Sequence, residues 1–269
     1  MKSGVDIVQV GSFVHPVKVP QMADTDELVQ RLVAGKDSGV VISGLALNER
    51  GVERGLECGV EMFCLGASAS ETHSVKNTGM SLRDAVRRII VMAERLVEQG
   101  KKVQVSVQSA FGCGYQGPIS EQRVLNIVSA YVGAGLNNIS LADTAGHGNP
   151  QQVERLFSVI LDRYPDVQCT GHFHNTYGLG MANVMAALKA GVTSIETSFA
   201  GLGGCPFTRV AAGNVPTEDF VHTLQRQGMR EDVDLDQLIG VAGEVAEFFD
   251  REMPGCVYKT GAIPDQEAA

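Results

Sequence analysis

Short apolar runs recur along the chain at residues 6–10, 40–45, 61–65, 102–108, 138–142, 168–174 and 194–199, and each reads as a β-strand. Between them lie longer stretches whose apolar residues return every three or four positions, as in 82–99 and 121–134, the spacing of one buried helix face. Several of these stretches end on a glycine just ahead of the next apolar run (Gly59, Gly100, Gly135, Gly191), where a left-handed residue closes a helix. Ser81 and Ser120 stand ahead of helical stretches and are expected to cap them. Strands that are apolar almost throughout and alternate with helices imply a parallel sheet covered by helices.

Polar and glycine-rich residues gather after the strands, at 11–15, 66–70, 109–117, 143–148, 175–177 and 201–214. A barrel of alternating strands and helices keeps its active site at that end. The expected fold is therefore α/β, a TIM (β/α)8-type barrel, forming a single domain over residues 1–269 with an extra C-terminal helix at 235–251. Only seven strands are found and the chain begins almost directly on one, so the expected barrel lacks its first βα unit. A doubly wound open sheet is the rival architecture, but no GxGxxG follows a first strand.

Composition narrows the function classes. Of 269 residues 44% are hydrophobic and 20% charged, with a net charge of −9 and no basic stripe, so nucleic acid is not an expected partner. No apolar run approaches the roughly 18 residues of a spanning helix, and no membrane partner is expected. Six cysteines without a CxxC pair read as reduced thiols of a cytoplasmic protein.

The richest chemistry is His172-Phe173-His174 at the end of a strand, answered by Asn214. Residues two apart on a strand share a face, so two imidazoles can serve one ion with an amide oxygen beside them. That donor set suits a divalent metal, Mg2+ or Mn2+, better than a thiolate-rich zinc site. The blander alternatives are a structural histidine and a turn asparagine. Three glycines and a proline surround Cys205 in Gly201-Leu202-Gly203-Gly204-Cys205-Pro206, either a mobile loop that carries a catalytic thiol or a plain surface loop. Asp143 ends its strand as a candidate proton acceptor or, alternatively, as a helix cap. His147 in the same loop faces either solvent or substrate.

These stretches, together with Gly11-Ser12-Phe13-Val14, Gly112-Cys113-Gly114-Tyr115-Gln116-Gly117 and Ile139-Ser140-Leu141-Ala142-Asp143-Thr144, resemble in order the 3-hydroxy-3-methylglutaryl-CoA lyase family of metal-dependent barrel lyases. The resemblance implies cleavage of a 3-hydroxyacyl-CoA to acetyl-CoA and a 3-oxo acid. It implies His172, His174 and Asn214 as metal ligands, and Cys205, His172 and Asp143 as catalytic residues. Gln9, Ser12, Asp143 and Thr144 would bind substrate. The family's first strand carries an Arg-Asp pair that this sequence lacks, and Gln9 stands where the family has Glu. The alternatives are a metal-dependent 2-oxo acid aldolase or condensing enzyme, and an inactive truncated barrel with a binding role. The expected partners are a small-molecule acyl-CoA and a second copy of the chain, since an open sheet edge invites pairing.

Overall fold

In a computed structural model, residues 2–17, 19–36, 39–204 and 213–263 are described. The apolar runs form β1 (Ile7–Ser12), β2 (Val41–Leu45), β3 (Met62–Ser68), β4 (Lys102–Gln108), β5 (Asn138–Asp143), β6 (Gln168–Phe173) and β7 (Ser194–Glu196). All neighbours pair in parallel in the order β1-β2-β3-β4-β5-β6-β7. The helices are α1 (Thr25–Gly35), α2 (Glu49–Cys58), α3 (Glu71–Thr78), α4 (Leu82–Glu98), α5 (Glu121–Gly133), α6 (Pro150–Arg163), α7 (Gly180–Lys189), α8 (Thr217–Gln225), α9 (Leu235–Phe248) and α10 (Val257–Thr260). The result is the expected TIM-barrel-like α/β architecture, a seven-stranded parallel sheet that curls but stays open. Among the described residues no helix is long and apolar enough to cross a membrane.

Burial tracks position in the sheet. Every residue of β3 is buried, whereas β1 and β7, each paired on one side only, are half-exposed, and Ile7 of β1 is 42% exposed. The chain ties its two sides together beneath the strands. Arg230 donates to the Asp6 carboxylate at 2.8 Å and to the Gly4 carbonyl at 3.0 Å, and the Asp234 N–H donates to the Ser3 carbonyl at 2.8 Å.

Several boundaries depart from the pattern-based expectation. β6 ends at Phe173 instead of 174, because His174 leaves the ladder to pair antiparallel with Asn214. β7 stops at Glu196 instead of 199, because the Ser198 N–H turns to the Val215 carbonyl. α9 ends at Phe248 instead of 251; Asp250 adopts φ +46°, which a helix cannot continue. Ser81 caps α4 by accepting the Asp84 N–H at 3.2 Å, but the Ser120 side chain makes no such bond. There the Ser120 carbonyl receives the first N–H groups, and Glu121 supplies the favourable negative charge.

Close packing of helix on sheet depends on small residues. Gly51 and Gly55 lie four apart on α2, on one face. A Cβ on Gly55 would meet the buried Phe63 ring at 2.6 Å and Phe13 at 3.1 Å. Gly55→Ala should therefore cost about 1–3 kcal/mol from overpacking despite alanine's better helix propensity. A urea-unfolding midpoint equal to or above that of the parent would contradict this packing.

Candidate active site

The C-terminal ends of the parallel strands form one rim, and β5, β6 and β7 deliver the polar groups to it. Cα register aligns Ala142 with His172 and His172 with Glu196. Although His174 lies one residue past its strand, its ring still faces that of His172, with centroids 5.2 Å apart and a 54° tilt. Asn214 is brought alongside by the bridge to His174. Its Nδ2 donates to the Leu202 carbonyl at 2.9 Å and its backbone N–H to the Gly201 carbonyl at 3.2 Å, so the same residue anchors the start of the glycine loop. Gly203, at φ +122°, has no room for a side chain, since a Cβ there would stand 2.4 Å from Asn214 Nδ2. Cys205 lies outside the described residues.

Electrostatics separates the two histidines. Burial and the neighbouring charge of His172 push the pKa of His174 down to about 3, against the opposing pull of a hydrogen bond to the Gly213 backbone. His174 is thus a neutral ring near neutral pH, the form that donates to a metal. Burial also disfavours the charged form of His172, but the hydrogen bond to Glu196 and the charges of Glu196 and Asp143 outweigh it and raise its pKa. His172 Nδ1 and Glu196 Oε2 are 2.8 Å apart. No sequence motif singled out Glu196. The available signal was alternation, which puts Ser194, Glu196 and Ser198 on one face of the last strand pattern.

The remaining candidates divide. Asp143 is fully buried, and its oxygens accept the N–H groups of His147 at 2.8 Å and Gly148 at 3.0 Å. It organises its own loop, and the cap of α6 is Asn149. Burial raises its pKa, only partly offset by those two backbone bonds. The Thr144 hydroxyl accepts the Ser109 N–H at 2.9 Å and braces Ser109 at φ +54°, a conformation rare outside glycine. Ser12 and Gln9 stand on β1, at the opposite edge of the sheet; Gln9 is exposed and the Ser12 hydroxyl is buried without a partner. His147 stacks near Tyr177, ring centroids 5.6 Å apart, over a groove of about 540 Å³ shared with Phe111, Ile119 and Leu179.

Among the described residues no group of three or more His, Cys, Asp or Glu could hold a metal ion. The donors present are two imidazoles and an amide, and two of their atoms are orphaned: among the described residues, His174 Nδ1 and Asn214 Oδ1 are buried without any hydrogen-bond partner. Buried polar atoms rarely stay unpaired. Neutral nitrogen and amide oxygen, both with lone pairs to give, fit a divalent cation as part of its ligand set.

Fold and rim together define a TIM-barrel-like α/β enzyme whose polar groups converge at the C-terminal ends of its strands. The chain belongs to the HMGL-like family, whose model matches residues 1–245. It is 32% identical over 253 residues to the hydroxymethylglutaryl-CoA lyase of Bacillus subtilis, covering 94% of this chain and 84% of that one. It is 34% identical over 274 residues to the (R)-citramalyl-CoA lyase of Chloroflexus aurantiacus, covering 99% and 86%. The structure of an HMG-CoA lyase from Acinetobacter baumannii in complex with coenzyme A and 3-methylmalate superposes with a TM-score of 0.91 at 34% identity, over 100% of this chain and 87% of that one. The carboxyl transferase domain of Rhizobium etli pyruvate carboxylase, at 14% identity and a TM-score of 0.70, shares the fold alone.

Glu218 is a further buried acid that sequence reading passed over. Its Oε2 accepts the Ala200 N–H at 3.0 Å, pinning a residue at φ +55° just before the glycine loop, while Oε1 has no partner among the described residues. Burial raises its pKa, two backbone hydrogen bonds oppose this, and the charge of Asp219 adds to the rise. A carboxyl with a raised folded pKa contributes stability below its unfolded pKa and loses that contribution as pH climbs through the folded value. Glu218→Gln should therefore remove part of the stability loss that sets in as pH rises above about 4.5. Parallel stability–pH curves for parent and variant would show that Glu218 is not linked to folding in this way.

Proposed function

We propose that the protein is a divalent-metal-dependent carbon–carbon lyase that cleaves a 3-hydroxy-3-methylglutaryl-CoA-like 3-hydroxyacyl-CoA to acetyl-CoA and a 3-oxo acid. One observation carries this reading: His172, His174 and Asn214 meet on the rim with two ligand atoms orphaned among the described residues, in a chain of the HMGL-like family. His172, His174 and Asn214 would hold the ion, Mg2+ or Mn2+. When bound, such an ion polarises the substrate's hydroxyl and a neighbouring oxygen and makes the hydroxyl more acidic.

The chain's own residues supply the rest. His174 stays uncharged through burial, and His172 is oriented by Glu196, giving up its second proton as it takes up the ion. Transfer of the hydroxyl proton to water at the open rim lets the bond between C2 and C3 break, giving a ketone and a thioester enolate that is then protonated at C2. Cys205 is the proton donor we assign to that last step, on a loop whose base is fixed by Asn214 and Glu218. Asp143 acts from behind, holding His147 and Gly148 in place, and Thr144 does the same for Ser109. Ser12 and Gln9 on β1 face the substrate from the far side, Gln9 as a neutral hydrogen-bonding group. Free thiols buried at Cys58, Cys64, Cys113 and Cys169 suit a cytoplasmic enzyme, and the half-exposed sheet edges suit a homodimer.

Incubation with 3-hydroxy-3-methylglutaryl-CoA should release acetyl-CoA in the presence of Mg2+ or Mn2+. A chelator should stop the release and added metal restore it. His174→Ala should lower kcat/KM on the order of 10²-fold or more. Turnover indifferent to chelation, or acetyl-CoA release from neither this substrate nor citramalyl-CoA, would refute the proposal.

A further inference from the structure

We propose that Glu196 is a positioning residue which fixes the ring of His172 as the Nδ1–H tautomer and so presents its Nε2 lone pair to the ion. The inference rests on the metal site proposed above and assigns a role to a residue outside it.

Geometry carries the argument. Glu196 is the last residue of β7 and the direct Cα partner of His172 on β6, so parallel register alone brings the two side chains to the same level. Their contact is 2.8 Å, between Nδ1 and Oε2. A carboxylate can only accept, so the ring nitrogen it binds must carry the hydrogen. In the neutral ring the other nitrogen then holds the single available lone pair. The carboxylate is itself held firmly. β6 clamps Glu196 on one side; just beyond it, Thr197 Oγ1 and Thr217 Oγ1 lie 2.9 Å apart, and the Ser198 N–H donates to the Val215 carbonyl at 3.0 Å. Among the described residues Glu196 makes no other ion pair, so its charge is directed at His172. A group that accepts the outer N–H of a metal-binding imidazole orients the ring and strengthens it as a donor, and losing such a partner costs metal affinity about 10–100-fold.

Mn2+ binding, followed by loss of the free-ion EPR signal, and long-range 1H–15N NMR of the metal-free protein test this together. In the parent, at a pH where the ring is neutral, His172 should appear as the Nδ1–H tautomer. Glu196→Ala should shift it toward Nε2–H and weaken Mn2+ binding about 10–100-fold, with unfolding temperature little changed. Glu196→Gln is nearly isosteric and keeps an acceptor, so it should preserve the tautomer and lose a smaller part of the affinity. Unaltered tautomer and unaltered Mn2+ affinity in Glu196→Ala would overturn the assignment. Failure of the parent to bind Mn2+ would instead strike the metal site, and the tautomer measurement would still decide whether Glu196 sets the state of His172.

Discussion

Parallel pairing allows no short turn between neighbouring strands; each connection must cross over, and here helices make most of those crossings. One consequence is that all seven strands point their C-terminal ends to the same rim. A second is that register replaces sequence proximity as the source of contacts. His172 meets Glu196 across 24 positions and His174 meets Asn214 across a still longer stretch, because strands β6 and β7 and the segment after them lie side by side. The chemistry of the rim is thus set by the sheet first and by local motifs second.

The same arrangement makes the loops after the strands bear structural tasks along with functional ones. Asp143, Thr144, Asn214 and Glu218 each satisfy backbone groups that would otherwise be buried unpaired. Two non-glycine residues at positive φ, Ser109 and Ala200, sit in these loops and are held by Thr144 and Glu218 respectively. Strain of that kind persists where surrounding contacts over-determine it. The loop leading to Cys205 therefore starts from a fixed base, with Asn214 bonded to both Gly201 and Leu202.

Much of this was legible in the residue pattern. Strand and helix periodicity located each of the seven strands, because a strand buried on both faces must be apolar nearly throughout. The His-Phe-His spacing found the paired imidazoles, since alternation is a local property. Boundaries were less legible, because His174 and Ser198 leave their strands to bond with the segment after residue 212, and no local pattern announces such a partner. Glu196 was missed for a related reason. It ends a strand of only three residues, among serines and threonines, and acquires its meaning only from the register with β6. Asp143 was found but its loop-holding role was not separable from a catalytic one, since a strand-end carboxylate serves either purpose equally well in sequence.

The two histidines show how environment divides identical side chains two residues apart. Among the described residues no carboxylate lies against the buried His174, so desolvation dominates and its pKa falls to about 3. Desolvation opposes charge on the less buried His172 as well, but Glu196 reverses the sign of the net effect. An ion placed between them would encounter one ring that is neutral through burial and one that is aimed through a carboxylate. Neither ring alone needs the other's environment. A pair with both rings exposed would compete with protons near neutral pH, and a pair with both rings buried and unpartnered would be free to rotate or to choose the wrong tautomer. The carboxylate that sets the tautomer of His172 also favours its protonation, and the asymmetry follows from β7 ending in an acid at the level where β6 carries a histidine.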